Sequence, residues 1–257
     1  MLEALILGLV EGLTEFLPIS STGHLLIAEH WLGARSDLFN VAIQVGAIAA
    51  VTLVYRERIV GLLLRWREPA ERDYLRKLAA AFLVTAVLGA AASYAGAELP
   101  QTVTPIAVAL IVGGLLIFLA EYYAKRHAAA QDVTWRVVLA VGVAQVIAGV
   151  FPGTSRSAAA IFAAMFAGLT ARPSAAEFAF LVGIPTMLAA SGFELVRASA
   201  DGGFDGEAWG ELGVAFVIAA VAGFASVKWL LAYISRHTFV GFAWYRIALG
   251  VVLLAVL

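Results

Sequence analysis

The chain reads as an all-α polytopic membrane protein, with six transmembrane helices and two re-entrant helical hairpins in an inverted-topology repeat. Three observations point there. Of 257 residues, 62% are hydrophobic and 14% charged, with a mean hydropathy of +0.93, which is the composition of an integral membrane protein. Apolar runs recur at the roughly 20-residue length that crosses about 30 Å of hydrocarbon. Two further apolar stretches are cut near their centres by polar segments carrying Pro and Gly, and broken backbone survives at membrane depth only when buried in protein or lining a wet cavity.

The first stretch, 1–33, opens without the basic region and small-residue cleavage site of a signal peptide and is expected to be retained. It is broken at Pro18, and helix usually stops before Pro while Gly permits the turn, so the segment reads as a re-entrant helix-loop-helix hairpin. Spans follow at 38–55, 78–96 and 103–123. The second stretch, 134–170, is broken at Pro152 and reads the same way; spans at 175–197, 210–233 and 238–257 complete a single membrane domain, 1–257.

Charge sets the orientation. Residues 56–77 hold seven Lys or Arg and 124–136 hold Lys125, Arg126 and Arg136, whereas 199–211 hold Asp201, Asp205, Glu207 and Glu211 without a base. The positive-inside rule puts the first two loops in the cytoplasm and the third outside. Each half, about 1–123 and 134–257, is then one hairpin plus three spans. Because three is odd, the halves run in opposite senses, and the hairpin tips enter from opposite faces and meet near the midplane. Two ordinary interrupted helices are the plainer alternative; that reading leaves Arg156 and two carboxylates without a role.

A net charge of −1 argues against a nucleic-acid partner, and the absence of cysteine excludes disulfides and thiolate chemistry. No Cys/His or paired-His spacing suggests zinc. His30, His127 and His237 lie beside Trp31 or cytoplasmic bases and receive no role.

The polar segments carry the chemistry. In Glu11-Gly-Leu-Thr-Glu15 two carboxylates share a helix face about 6 Å apart along the axis. In low dielectric such a pair binds a cation, shares a proton or pairs with a base. Ser20, Ser21, Thr22, Gly23 and His24 then put three hydroxyls and an imidazole at a helix start, where free N–H groups favour an anion. Gly153, Thr154, Ser155, Arg156 and Ser157 repeat the pattern, with a guanidinium suited to phosphate oxygens. Helix capping accounts for one hydroxyl in each segment, but not for His24 and Arg156 as well.

Glu11-Gly-Leu-Thr-Glu-Phe-Leu-Pro-Ile-Ser-Ser-Thr-Gly-His24 and Pro152-Gly-Thr-Ser-Arg-Ser157 resemble the two signature motifs of the bacterial undecaprenyl-diphosphate phosphatases of the bacitracin-resistance type. The likeness extends to Ile43-Gln44-Val45-Gly46, Glu177-Phe178, Pro185 and Tyr245-Arg246. It implies hydrolysis of undecaprenyl diphosphate, which recycles the lipid carrier of cell-wall synthesis, in the bacterial cytoplasmic (inner) membrane. It also implies a site open to the periplasm or exterior and a need for Mg²⁺ or Ca²⁺. Glu11 and Glu15 match the acidic pair, Ser21 and His24 the first motif, and Ser155 and Arg156 the second.

Three departures bear on positioning. Ala160 stands where many relatives carry Thr, Asn40 where Glu is frequent, and one extra residue separates Gln145 from Pro152. The expected partners are the prenyl diphosphate and membrane lipids, with a homodimer left open.

Glu11 and Glu15 are expected to hold the cation and Arg156 to neutralise the diphosphate. His24 is expected to handle the proton or attack phosphorus, with Ser21 as rival nucleophile and direct water attack a third route. A lipid-phosphate flippase would use the same architecture and basic site, but has little use for an imidazole beside a carboxylate pair. The type 2 phosphatidic-acid phosphatases follow their Ser-Arg with a nearby His, and here none lies between Arg156 and His237.

Overall fold

A computed structural model describes residues 1–97, 102–200 and 208–256. Its regular elements among the described residues are eleven α-helices. The first break separates α1 (Leu2–Thr14) from α2 (Ser21–Leu32), and the second separates α7 (Trp135–Val150) from α8 (Arg156–Phe166). Between them run α3 (Asp37–Val54), α4 (Arg56–Leu64), α5 (Pro69–Tyr94) and α6 (Val103–Arg126); after them come α9 (Arg172–Ala200), α10 (Trp209–Ile234) and α11 (Val240–Val256). Helices α3, α5, α6, α9 and α10 are long and apolar enough to cross a membrane, making this a multi-pass membrane protein. Leu83, Val87, Leu115 and Leu119 on α5 and α6 face outward, as lipid contact permits.

Both breaks form for the same local reasons. Phe151, next to Pro152, leaves the helical region at ψ 98°, as a residue before proline must. Ser20 (φ 74°) and Ser155 (φ 65°) are the non-glycine residues at positive φ among the described residues. Each is the N-cap of the following helix: Ser20 Oγ accepts from Gly23 N–H at 3.3 Å and Ser155 Oγ from Ala158 N–H at 3.3 Å. Such backbone costs about 1–3 kcal/mol and persists only where the surroundings impose it.

The packing pairs the halves crosswise: α1 lies along α10 and α7 along α5, while α3 packs on α10 and α9, α5 on α9, and α6 on α11. Ile161 and Met165 of α8 are buried in the core together with Leu169 and with Phe178 of α9. Small residues bring α1 and α10 together. A Cβ at Gly8 would lie 2.5 Å from the Ala215 carbonyl oxygen, and one at Gly12 would strike the Ala219 carbonyl and lie 2.8 Å from Ala222 Cβ. Gly8 and Gly12 facing Ala215 and Ala219 make a seam at four-residue spacing, the arrangement that lets helix backbones touch in lipid.

The positively charged segment 56–77, expected as a loop, contains α4 and the opening turns of α5, which begins at Pro69 rather than near 78. Charge hid the helices from a hydropathy reading. Arg58 pairs with Glu71 at 2.9 Å and Glu177 at 3.1 Å, Arg65 with Glu71 at 3.1 Å, and Lys77 with Asp73 at 2.5 Å, so these bases brace α4, α5 and α9. Of the acidic segment, Asp201, Asp205 and Glu207 lie outside the described residues; Glu211 pairs with the Met1 amine and with Arg35 at 3.2 Å.

Gly8→Ala is expected to destabilise the fold by about 1–3 kcal/mol, because a buried backbone must give way to the new methyl. The measurement is thermal unfolding of the purified protein in detergent, where the same change at Gly89, whose Cβ direction is open, should leave the melting temperature near wild type.

Candidate active site

The two breaks come together. Ser157 Oγ, in the first turn of α8, donates to the backbone carbonyls of Glu15 at 3.3 Å and Leu17 at 3.2 Å, and shares a 3.1 Å hydrogen bond with Ser155 Oγ. Arg246 of α11 closes the junction from beneath. Its fully buried guanidinium donates to Pro18 O at 3.3 Å in the first break, to Gly153 O at 3.2 Å and Thr154 O at 3.1 Å in the second, and to Ala109 O at 3.0 Å and Leu110 O at 3.4 Å on α6. The side chain passes over Gly113, where any Cβ would collide with it. Gly153 has a matching constraint: φ is 85°, and a Cβ there would lie 2.7 Å from Ile106 Cα.

Above this junction stand the charged groups. Glu11 and Glu15 are both buried, and Glu15 accepts a hydrogen bond from Ser21 Oγ on the opening turn of α2. Glu11 Oε2 has no hydrogen-bond partner among the described residues. Arg156, first residue of α8, is half-buried, makes no hydrogen bond among the described residues, and lines one small cavity together with Glu15. The amides of Ser21, Thr22, Arg156 and Ser157 open their helices ahead of the first intrahelical bonds, so two helix N-termini present N–H groups to one region. The hydroxyls of Thr22 and Thr154 make no hydrogen bond among the described residues.

His24 is fixed at both nitrogens. Nδ1 lies 2.7 Å from Ser20 O, and because a carbonyl only accepts, Nδ1 carries a proton. Nε2 lies 2.6 Å from the Tyr245 hydroxyl, and the two rings are near parallel at 5.7 Å. Ala160 lines the wall of a cavity of about 10 Å³ shared with Glu15, Gln145 and Arg156. Asn40 is apart from this centre; its Nδ2 donates to Glu29 Oε1 at 3.1 Å and ties α2 to α3.

The family model for bacitracin resistance protein BacA matches residues 4–252. The chain belongs to the BacA family. Among curated relatives of this BacA protein, the undecaprenyl-diphosphatase of Rhizobium johnstonii is 59% identical over 253 residues, 98% of this chain and 96% of the relative. Those of Xylella fastidiosa and Xanthomonas campestris are 58% and 56% identical over 254 residues, each covering 99% of this chain and 97% of the relative.

Two residues of this cluster receive no role from the sequence alone. Arg246 is a lone charge in an apolar run, itself a signal of function, but its partners are backbone carbonyls that no sequence pattern announces. Tyr245 reaches His24 across 221 positions of chain. Arg156 and Arg246 should therefore respond differently to the same change. Arg156→Lys is expected to lower turnover about a hundredfold with an unchanged melting temperature. Arg246→Lys replaces a planar fork by a point donor, and each carbonyl left unpaired costs about 1–3 kcal/mol. Its melting temperature should fall, and the two effects are read by phosphate release and thermal unfolding on the same preparations.

Proposed function

We infer that this protein hydrolyses undecaprenyl diphosphate to undecaprenyl phosphate and inorganic phosphate. That reaction returns the lipid carrier to the synthesis of peptidoglycan and other envelope polymers and confers bacitracin resistance. The observation that carries the chemistry is the Ser21 hydroxyl donating to the Glu15 carboxylate at a helix N-terminus. The direct test is phosphate release from undecaprenyl diphosphate by purified protein, with and without a chelator.

In the mechanism we favour, Ser21 Oγ attacks the terminal phosphorus and passes its proton to Glu15. The bond to the bridging oxygen breaks, and undecaprenyl phosphate leaves. Glu15 returns its proton to Ser21 Oγ as water attacks the phosphoserine and the Oγ–P bond breaks, and the proton of the attacking water leaves with the inorganic phosphate. Arg156 and the amides opening α2 and α8 are placed to neutralise the phosphoryl oxygens. Attack by His24 would first require the Tyr245 contact at Nε2 to break, whereas attack by Ser21 requires no rearrangement. A flippase would have no use for the Ser21–Glu15 pair.

The donor set fits a divalent cation. Glu11 offers a buried carboxylate oxygen without a partner, Glu15 lies one turn away, and one or two carboxylates plus substrate oxygens and water is how Mg²⁺ is commonly held. Glu11 and Glu15 would hold it, and the ion would supply Lewis-acid stabilisation of the diphosphate.

We further propose six spans, α3, α5, α6, α9, α10 and α11, with α1–α2 and α7–α8 as hairpins re-entering from opposite faces in two inverted halves. The crosswise packing of α1 on α10 and α7 on α5, and the matched strained serines, support it. The site would open to the periplasm or exterior of the inner membrane, with α4 in the cytoplasm, as the bases of 56–77 require.

Two measurements check these proposals. Ser21→Ala is expected to abolish turnover and, with labelled substrate quenched in mid-reaction, to remove an acid-stable, base-labile phosphoenzyme; an acid-labile species that vanishes in His24→Ala would transfer the attack to histidine. The chain contains no cysteine, so single introduced thiols report without background. Cys at Ala34 should react with an impermeant reagent outside intact cells and Cys at Ala70 should not.

A further inference from the structure

Gln145 lies on α7, one and a half turns before the second break, and 3% of it is exposed. Neither its Nε2 nor its Oε1 has a hydrogen-bond partner among the described residues. A buried carboxamide with both ends unpaired forfeits its interactions with water at about 1–3 kcal/mol or more. Nothing in the packing of α7 requires it, since Leu would fill the same volume. Such a group is retained at a cost unless something absent from the folded chain alone satisfies it.

Its surroundings say what that is. Gln145 borders two cavities. The first, about 10 Å³ and room for about one water molecule, is also lined by Glu15, Arg156, Ser157, Ala160 and Phe180. The second, about 610 Å³, lies between α5, α7 and α9; its walls are mainly apolar, with Phe82, Ala86, Ala189 and Phe193, and also carry Ser93, Thr186 and Glu194. Gln145 and Arg156 are the two residues common to both cavities. They mark the point where this mainly apolar space meets the Glu15 carboxylate and Ser157 beside the reaction centre. A molecule with an apolar chain and an anionic head would put its head at this point, beside one guanidinium and one carboxamide, each without a hydrogen bond of its own.

We propose that Gln145 is a substrate-binding residue of this site, its carboxamide NH₂ donating to an oxygen of the diphosphate that Arg156 neutralises. The inference rests on the hydrolysis of undecaprenyl diphosphate stated above and adds a neutral donor to it. The amide N–H suits the role because it supplies a directed hydrogen bond without further charge. The smaller cavity has room for about one water, which Oε1 could accept from, and the phosphoryl oxygen would then satisfy the NH₂ end.

The test compares wild type with Gln145→Leu, which keeps the volume and removes donor and acceptor, and Gln145→Glu, which keeps the shape and removes the donor. Three quantities are read: kcat/KM for undecaprenyl diphosphate, inhibition by inorganic phosphate, and melting temperature without ligand. Both variants are expected to lose about a hundredfold in kcat/KM, the scale for one donor to a developing anion, and to be inhibited by inorganic phosphate about tenfold more weakly. The Leu variant should melt at or above wild type, because an unpaired polar group has been replaced by an apolar one. A Leu variant within twofold of wild type in kcat/KM and phosphate inhibition would overturn the proposal. So would a lowered melting temperature with unchanged phosphate inhibition, which would make Gln145 a packing residue. Loss with farnesyl diphosphate as well as the full-length lipid places the contact at the head group; loss confined to the long chain would refute it. A wild-type protein inactive on undecaprenyl diphosphate would instead remove the activity itself and this inference with it.

Discussion

A guanidinium with no carboxylate partner among the described residues holds the centre of this molecule. Arg246 spends its donors on five backbone carbonyls, three from the two broken segments and two from α6. Wherever a helix is interrupted inside an apolar body, carbonyls lose their intrahelical partners and no water replaces them. One planar fork reaching both breaks satisfies them together, so neither break can move without the other. The choice of carbonyls over a carboxylate has an electrostatic consequence. Arg246 has no carboxylate among its hydrogen-bond partners in the described residues, so its charge is met by carbonyl dipoles where the two breaks converge. Two carboxylates and two guanidiniums balance in that region, and it is the N–H groups opening α2 and α8, beside Arg156, that a phosphate would find there.

The serines at the breaks follow from the same constraint. Ser20 and Ser155 take positive φ so that the chain can turn from one helix into the next within a few residues, and their side chains cap the helices they start. Glycine would be cheaper in backbone strain but would lose the cap and the hydroxyl. The seam of Gly8 and Gly12 against α10 works one layer further out, since α1 can deliver Glu11 and Glu15 to the centre only by lying close to α10. Close approach of backbones, strained serines and the buried arginine are therefore one device seen at three distances from the site.

Much of this was legible in the sequence, for identifiable reasons. Pro18 and Pro152, set among hydroxyls inside apolar runs, announced both breaks, and the helices bordering them end and begin within a few residues of the expected places. Of the six apolar runs that hydropathy picks out, five are helices long and apolar enough to cross a membrane among the described residues, and the sixth corresponds to α11, a shorter apolar helix of 17 residues. Helix α4 was missed because its polar face carries charge and a hydropathy reading sees only the charge. Which site residues touch was hidden wherever the partner is a backbone atom: Ser157 to the Glu15 carbonyl, His24 to the Ser20 carbonyl, Arg246 to five others. The isolation of Gln145 belongs to the same class, because being unpaired is a property of surroundings and not of residue type.

The contact between Ser21 and Glu15 also changes how the carboxylate pair is understood. Spacing of four along a helix makes Glu11 and Glu15 look alike, and a shared cation is the simplest use of two equal acids. Their environments differ. Glu15 is engaged by Ser21, while Glu11 keeps an oxygen with no partner among the described residues. Two carboxylates one turn apart in different surroundings can divide their work, and in the proposed mechanism Glu15 would take the proton of Ser21 while both carboxylates face the cation, Glu11 with the oxygen that has no other partner among the described residues. The division requires Ser21 to stay on the Glu15 side of α1. What holds it there is the cap at Ser20, whose strained turn sets where α2 begins, and Arg246, whose grip on Pro18 sets where the turn can go.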